Sequence, residues 1–139
     1  MGVKMIQIKK LDHVVLRAHD AEKMIQFYCQ VLGCTIERRS SPEVGIVQLR
    51  AGEALIDILA VDSELGRMGG SGPGKEGLNM DHFCVRLESF EEQAIREHLD
   101  QYGVSAGKLE ARYGAEGKGP SIYIQDPEGN TIELKGPPF

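Results

Sequence analysis

The chain carries an internal repeat. Asp12-His13-Val14-Val15-Leu16-Arg17 aligns with Asp81-His82-Phe83-Cys84-Val85-Arg86 at an offset of 69, with Asp, His and Arg in register and apolar residues paired between them. Such a repeat constrains the fold strongly, because both copies must form the same unit and neither can bury its apolar face alone. Period-2 alternation makes both segments strands. One places His13, Val15 and Arg17 on a common face, and the other places His82, Cys84 and Arg86 on the equivalent face.

A helix is expected after each strand. In the first copy Asp20 is the N-cap, Ala21, Met24, Ile25, Tyr28, Val31 and Leu32 form the apolar stripe, and Gly33 is the stop. In the second, Ser89 and Glu92 form a capping-box pattern, followed by a stripe of Ala94, Ile95, Leu99 and Tyr102 and a stop at Gly103. Strand-like segments 45–49 and 54–61 close the first copy; 121–125 and 131–134 close the second. Ile56-Asp57-Ile58 matches Ile132-Glu133-Leu134. Each copy thus reads as a strand, a helix and roughly three more strands, too small for a robust core alone. The expectation is one α+β domain over 1–139, with module one at about 9–61, a connector at 62–79 and module two at about 80–136. The connector holds Gly66, Gly69, Gly70, Gly72, Gly74 and Gly77 and reads as a linker or an active-site lid; it contains no phosphate-loop motif.

Composition narrows the partners. A chain of 139 residues with 41% hydrophobic and 27% charged residues is an ordinary globular domain rather than a coiled coil or a disordered chain. No apolar run approaches the roughly 20 residues of a membrane span, and residues 1–10 lack the continuous apolar core of a signal peptide. The net charge of −5, with no basic run longer than two, gives no footprint for nucleic acid. Small-molecule chemistry remains. Cys29, Cys34 and Cys84 make an odd count without a CxxC pair, which suits reduced thiols in a cytoplasmic protein, each acting as a small buried apolar residue.

The repeat also duplicates ligand-type residues. Module one offers His13 and Asp57, and module two offers His82 and Glu133. Related by a pseudo-two-fold, the four would converge at the centre of an eight-stranded arrangement as an N₂O₂ set for Zn²⁺, Ni²⁺, Fe²⁺, Mn²⁺ or Co²⁺; without thiolates it would not be a soft-metal site. An acid within Ala54-Leu55-Ile56-Asp57-Ile58-Leu59-Ala60 costs several kcal/mol unless compensated. A divalent metal would compensate it, as would Arg17 or Arg86. His19 and His98, before and on a helix, read as structural.

Beyond these residues, Phe27-Tyr28-Cys29-Gln30-Val31-Leu32-Gly33 and Ile122-Tyr123-Ile124-Gln125-Asp126-Pro127-Glu128-Gly129-Asn130-Thr131-Ile132-Glu133-Leu134 complete a pattern that resembles the vicinal oxygen chelate superfamily. That superfamily includes glyoxalase I, extradiol dioxygenases, fosfomycin-resistance thiol transferases, methylmalonyl-CoA epimerase and bleomycin-resistance proteins. The resemblance implies paired βαβββ modules forming a cupped mixed sheet around a metal, often in a homodimer. In ligand pattern the chain is most similar to bacterial-type glyoxalase I, with Asp57 where that family has Glu. The likeness implies a metal-dependent lyase or isomerase that moves a proton of a small α-hydroxycarbonyl or glutathione hemithioacetal through an enediolate. Glu133 and Asp57 would be the catalytic carboxylates. Arg17, four residues after His13, and Lys118 would hold the glutathione co-substrate, and Arg86 and Tyr123 would help select the substrate. Two alternatives stay open. One is an Fe²⁺ extradiol-type dioxygenase, although its signature His has no counterpart near 114–116; the other is a metal-free drug- or metabolite-binding protein of the bleomycin-resistance kind.

Overall fold

A computed structural model describes residues 5–139; residues 1–4 of the opening stretch read against a signal peptide lie outside the described residues. Module one runs β1 (His13–Ala18), α1 (Ala21–Gln30), β2 (Thr35–Arg39), β3 (Ile46–Ala51) and β4 (Ala54–Ala60). A short helix, α2 (Glu64–Arg67), follows in the connector. Module two runs β5 (Phe83–Arg86), α3 (Glu92–Gln101), β6 (Glu110–Gly114), β7 (Gly117–Gln125) and β8 (Thr131–Lys135). The modules form two four-stranded mixed sheets of the same topology, β1-β4-β3-β2 and β5-β8-β7-β6, in which the first strand lies parallel to the last and the remaining pairs are antiparallel.

The parallel register brings the candidate residues together. Val15 is opposite Asp57, so His13 and Asp57 lie on neighbouring strands of one sheet; Cys84 is opposite Glu133, giving the same relation for His82 and Glu133. On the other face of these strands Leu16, Ala18, Ile56 and Ile58 join Ile122, Ile124, Ile132 and Leu134 in one core cluster spanning both modules. Each fully buried aliphatic side chain of this kind stabilises the fold by about 1.5–3 kcal/mol.

Helix α1 starts as the sequence predicts, with the Asp20 side chain accepting the Lys23 N–H at 3.1 Å. It buries Met24, Ile25, Phe27 and Tyr28, and Gly33 provides the left-handed turn at φ +73° that ends it. Helix α3 differs from expectation. Its N-cap is Glu91 with no side-chain cap, so the Ser89–Glu92 box does not form. Glu92 instead binds Arg96 one turn on, at 2.9 Å, and Phe90 packs against Gly136 so closely that a Cβ there would meet the Phe90 Cβ at 2.4 Å. Docking of Phe90 takes the chain through a non-helical step and delays the helix start. Tyr102, expected in the stripe, is the C-cap and stands exposed.

The modules are joined by a brace from the β7–β8 turn. Asp126 accepts the N–H groups of Glu128 and Asn130 at 2.9 and 3.0 Å, while Gly129 closes the turn at φ +87°. The second Asp126 oxygen accepts the buried Tyr28 hydroxyl of α1 at 2.7 Å. Glu128 reaches the start of α1 and accepts the His19 and Asp20 N–H groups at 2.8 and 3.0 Å. His98 of α3 completes the join through Nε2 to the Val31 carbonyl at 2.7 Å.

Candidate metal and substrate site

Each module presents the same three-part arrangement. The His13 Nδ1 lies 2.7 Å from Asp12 Oδ2, and the His82 Nδ1 lies 2.7 Å from Asp81 Oδ2. An imidazole donating from Nδ1 to a carboxylate keeps its lone pair on Nε2, the orientation used by metal-binding histidines. The third part is a buried carboxylate on the neighbouring strand. Asp57 is 1% exposed and Glu133 5%.

The two carboxylates are held differently. Glu133 Oε2 accepts the Ser121 hydroxyl at 2.8 Å, and Arg112 donates to the Ser121 Oγ at 3.1 Å, which orients that hydroxyl toward Glu133. Glu133 Oε1 faces the His82 Nε2 at 3.1 Å. With Nδ1 committed to Asp81, these two atoms are both acceptors unless a proton or a cation lies between them. In module one, Gln48 donates weakly to Asp57 Oδ2 at 3.4 Å, and the buried Oδ1 has no hydrogen-bond partner. Neither arginine compensates Asp57. An orphaned, buried carboxylate oxygen beside an imidazole suits a cation well. The Asp12 hydrogen bond, reinforced by the Asp57 charge, also raises the His13 pKa above its usual value.

The structure pairs the four residues two by two. His13 with Asp57 and His82 with Glu133 lie on separate sheets, and among the described residues no group of three or more His, Cys, Asp or Glu is arranged to hold a metal ion. The convergence expected at the centre of one eight-stranded arrangement does not occur within this chain.

The other candidates fall into three groups. Tyr123 lies beside the module-two pair, its ring 5.2 Å from the His82 ring and under the Arg112 guanidinium at 4.2 Å. Arg86 pairs with Glu116, while Lys118 lies exposed on β7 opposite Tyr113. Arg17 holds the connector, donating to the Gly66 and Ser71 carbonyls at 3.1 Å each and to Gly70. His19 adds a contact from Nε2 to Pro73 O at 3.0 Å. The backbone passes close at these crossings: a Cβ at Gly69 would meet the Arg17 Cζ at 2.7 Å and one at Gly72 the His19 Cε1 at 2.2 Å, so a larger residue at either would have to displace the side chain that holds the connector. The connector is therefore pinned beside β1. Arg17→Ala is expected to raise the rate of limited proteolysis within 66–74 several-fold; an unchanged cleavage rate would show that the carbonyl contacts do not hold the segment.

Sequence reasoning missed Asp12, Asp81, Ser121 and Arg112. The first two were visible as invariant members of the repeat, whereas Ser121 and Arg112 become relevant only through the β6–β7–β8 register. The thiols also divide. Cys34 is buried, with burial pushing its pKa up to about 11. Cys84 is exposed instead, opposite Glu133, and partial desolvation of its thiol, followed by the Glu133 charge, pushes its pKa up to about 11. A protonated thiol thus borders the module-two pair.

Comparison with known proteins adds a family and several relatives. The family model described as Glyoxalase/Bleomycin resistance protein/Dioxygenase superfamily matches residues 10–134. The virulence protein STM3117 of Salmonella typhimurium is 31% identical, with 96% of this chain and 87% of that protein covered; its crystal structure superposes with a TM-score of 0.71 over 94% of this chain and 98% of that one. The glyoxalase domain-containing protein RDO1 of Mycosarcoma maydis is 28% identical, with 94% of this chain and 70% of that protein covered. The lactoylglutathione lyase of Agrobacterium tumefaciens shares the fold at 16% identity and a TM-score of 0.66, with 93% and 94% of the two chains covered.

Proposed function

As the chain belongs to the Glyoxalase/Bleomycin resistance protein/Dioxygenase superfamily, we propose that it is a metal-dependent lyase or isomerase of the glyoxalase kind, acting on a small α-hydroxycarbonyl or hemithioacetal. The observation that carries this reading is the duplicated geometry: an Asp–His pair at 2.7 Å beside a buried carboxylate in each module. His13, Asp57, His82 and Glu133 would hold one divalent ion such as Ni, Zn, Co, Mn or Fe. Bound there, the ion would supply Lewis acidity to vicinal substrate oxygens and so acidify the adjacent C–H.

The chain's own residues carry the rest. Asp12 and Asp81 fix the two imidazoles by their Nδ1 bonds. Glu133, steadied at Oε2 by Ser121, would take the substrate proton at Oε1 once that oxygen is released from the ion and return it to the neighbouring carbon. Asp57 is its counterpart from module one, with its buried Oδ1 left without a hydrogen-bond partner. Tyr123 and Arg112 form one wall of the site.

Because the two pairs lie on separate sheets, we propose further that a homodimer completes the site, module one of each copy facing module two of the other. Exposed Val15, between His13 and Arg17 on the same face, supports a covered surface there. Elemental analysis of protein purified without chelator tests the metal reading. About one divalent ion per chain is expected, lost in His13→Ala, and Glu133→Gln should retain most of the metal while losing turnover. Oxygen consumption with catechols would move the assignment to the dioxygenases, and absence of metal uptake would move it to a ligand-binding protein.

A further inference from the structure

We propose that Arg86 is the carboxylate-binding subsite of a cleft beside the module-two pair, and that Glu116 of the β6–β7 hairpin occupies it as an internal stand-in for the ligand. This deepens the reading above, on which it rests for the identity of the neighbouring site, by giving the substrate a carboxylate.

The cleft measures ≈ 660 Å³ and opens between the β3–β4 turn of module one and β5 of module two. Lys10, Glu53, Cys84, Arg86, Glu88 and Glu116 contribute to its walls. Cys84, which lines the cleft, is opposite Glu133 in the sheet, so the cleft borders the strand pair that carries that carboxylate while Glu133 and His82 lie outside its lining. Arg86 follows His82 by four residues along the same face, about 13 Å of strand. A ligand held at both ends would be a small extended molecule with its carboxylate distal to the reacting carbon.

The pairing of Arg86 has the form of ligand recognition. Nε meets Glu116 Oε1 at 3.0 Å and Nη2 meets Oε2 at 3.3 Å, the two-pronged match of guanidinium and carboxylate. Its remaining arm, Nη1, donates to the Leu87 carbonyl at 3.0 Å and so fixes the fork from behind. Glu116, by contrast, is easily displaced. Its side chain is 51% exposed, so the pair is weak and an incoming carboxylate exchanges one ionic contact for an equivalent one.

The hairpin need not move for this exchange. Lys135, 5% exposed on the same sheet face as Glu133, donates from Nζ to the Gly117 carbonyl at 2.9 Å and anchors the hairpin main chain. Gly114 lies over that side chain so closely that a Cβ would meet the Lys135 Cε at 2.9 Å. Only the Glu116 side chain has to swing out.

Calorimetric titration of succinate, its diamide and inorganic phosphate into wild type, Glu116→Gln, Arg86→Gln and the double variant tests the assignment, at fixed ionic strength and on chelator-treated as well as metal-loaded protein. Removing the internal competitor should tighten succinate binding about twofold to fivefold. Arg86→Gln should abolish binding, alone and in combination, and the diamide should not bind. The gain should persist after chelation, which separates this subsite from the metal reading. The proposal is overturned if Glu116→Gln binds succinate no more tightly than wild type, if the gain survives in the double variant, or if phosphate gains as much as succinate.

Discussion

Mixing His13→Ala chains with His82→Ala chains should restore about a quarter of the wild-type metal and turnover, although each variant alone has none. If every site combines module one of one copy with module two of the other, a hybrid dimer carries both lesions in one site and neither in the second. Random exchange makes half of the dimers hybrids, each with one intact site of two. Metal analysis and activity after exchange, monitored with differently tagged copies, read the effect. Complete exchange without any recovery would show that the four residues do not meet across chains.

Asp126→Ala is expected to lower stability by about 3 kcal/mol and the melting temperature by about 10 °C. One side chain satisfies the buried Tyr28 hydroxyl, two turn N–H groups and the Asn130 side chain. Its removal strands a hydroxyl whose pKa is raised by burial and by that same carboxylate, and it loosens the turn from which Glu128 reaches α1. Tyr28→Phe should cost only about 1 kcal/mol, since Asp126 keeps its other donors. Equal melting temperatures for the two variants would mean that the turn does not brace the modules.

The repeat made much of this architecture legible. Alternation identified β1 and β5, the Asp20 cap and Gly33 bounded α1, and duplication separated His13, Asp57, His82 and Glu133 from the other polar residues. These features are local, or repeat local features, and short-range periodicity records them. The remainder depends on contacts between distant segments. Nothing around Ser89 announces that Phe90 docks on Gly136 and delays α3, and nothing around Arg17 announces that its guanidinium is engaged by connector carbonyls about fifty residues away. The pairing of the four ligand-type residues within separate sheets, rather than in one cluster, is likewise a property of packing between modules. Glu116 is the plainest example: on the sequence it is a charge in a glycine-rich hairpin, and only the fold sets it against Arg86.

The part of the brace that comes from the β7–β8 turn runs in one direction. Glu128 of module two supplies acceptors for the backbone at the start of α1, and Asp126 supplies one for Tyr28, whereas α3 has no side-chain cap at all. A ribosome makes the chain from its N-terminus, so the half that emerges first is the half that has to wait. Until the β7–β8 turn has been synthesised, α1 has a phenol without its acceptor and two amides without theirs, and module one stays short of its native contacts. The repeat gives two similar halves, but the folded chain makes the earlier one conditional on the later, and the β7–β8 turn becomes a checkpoint on the whole domain.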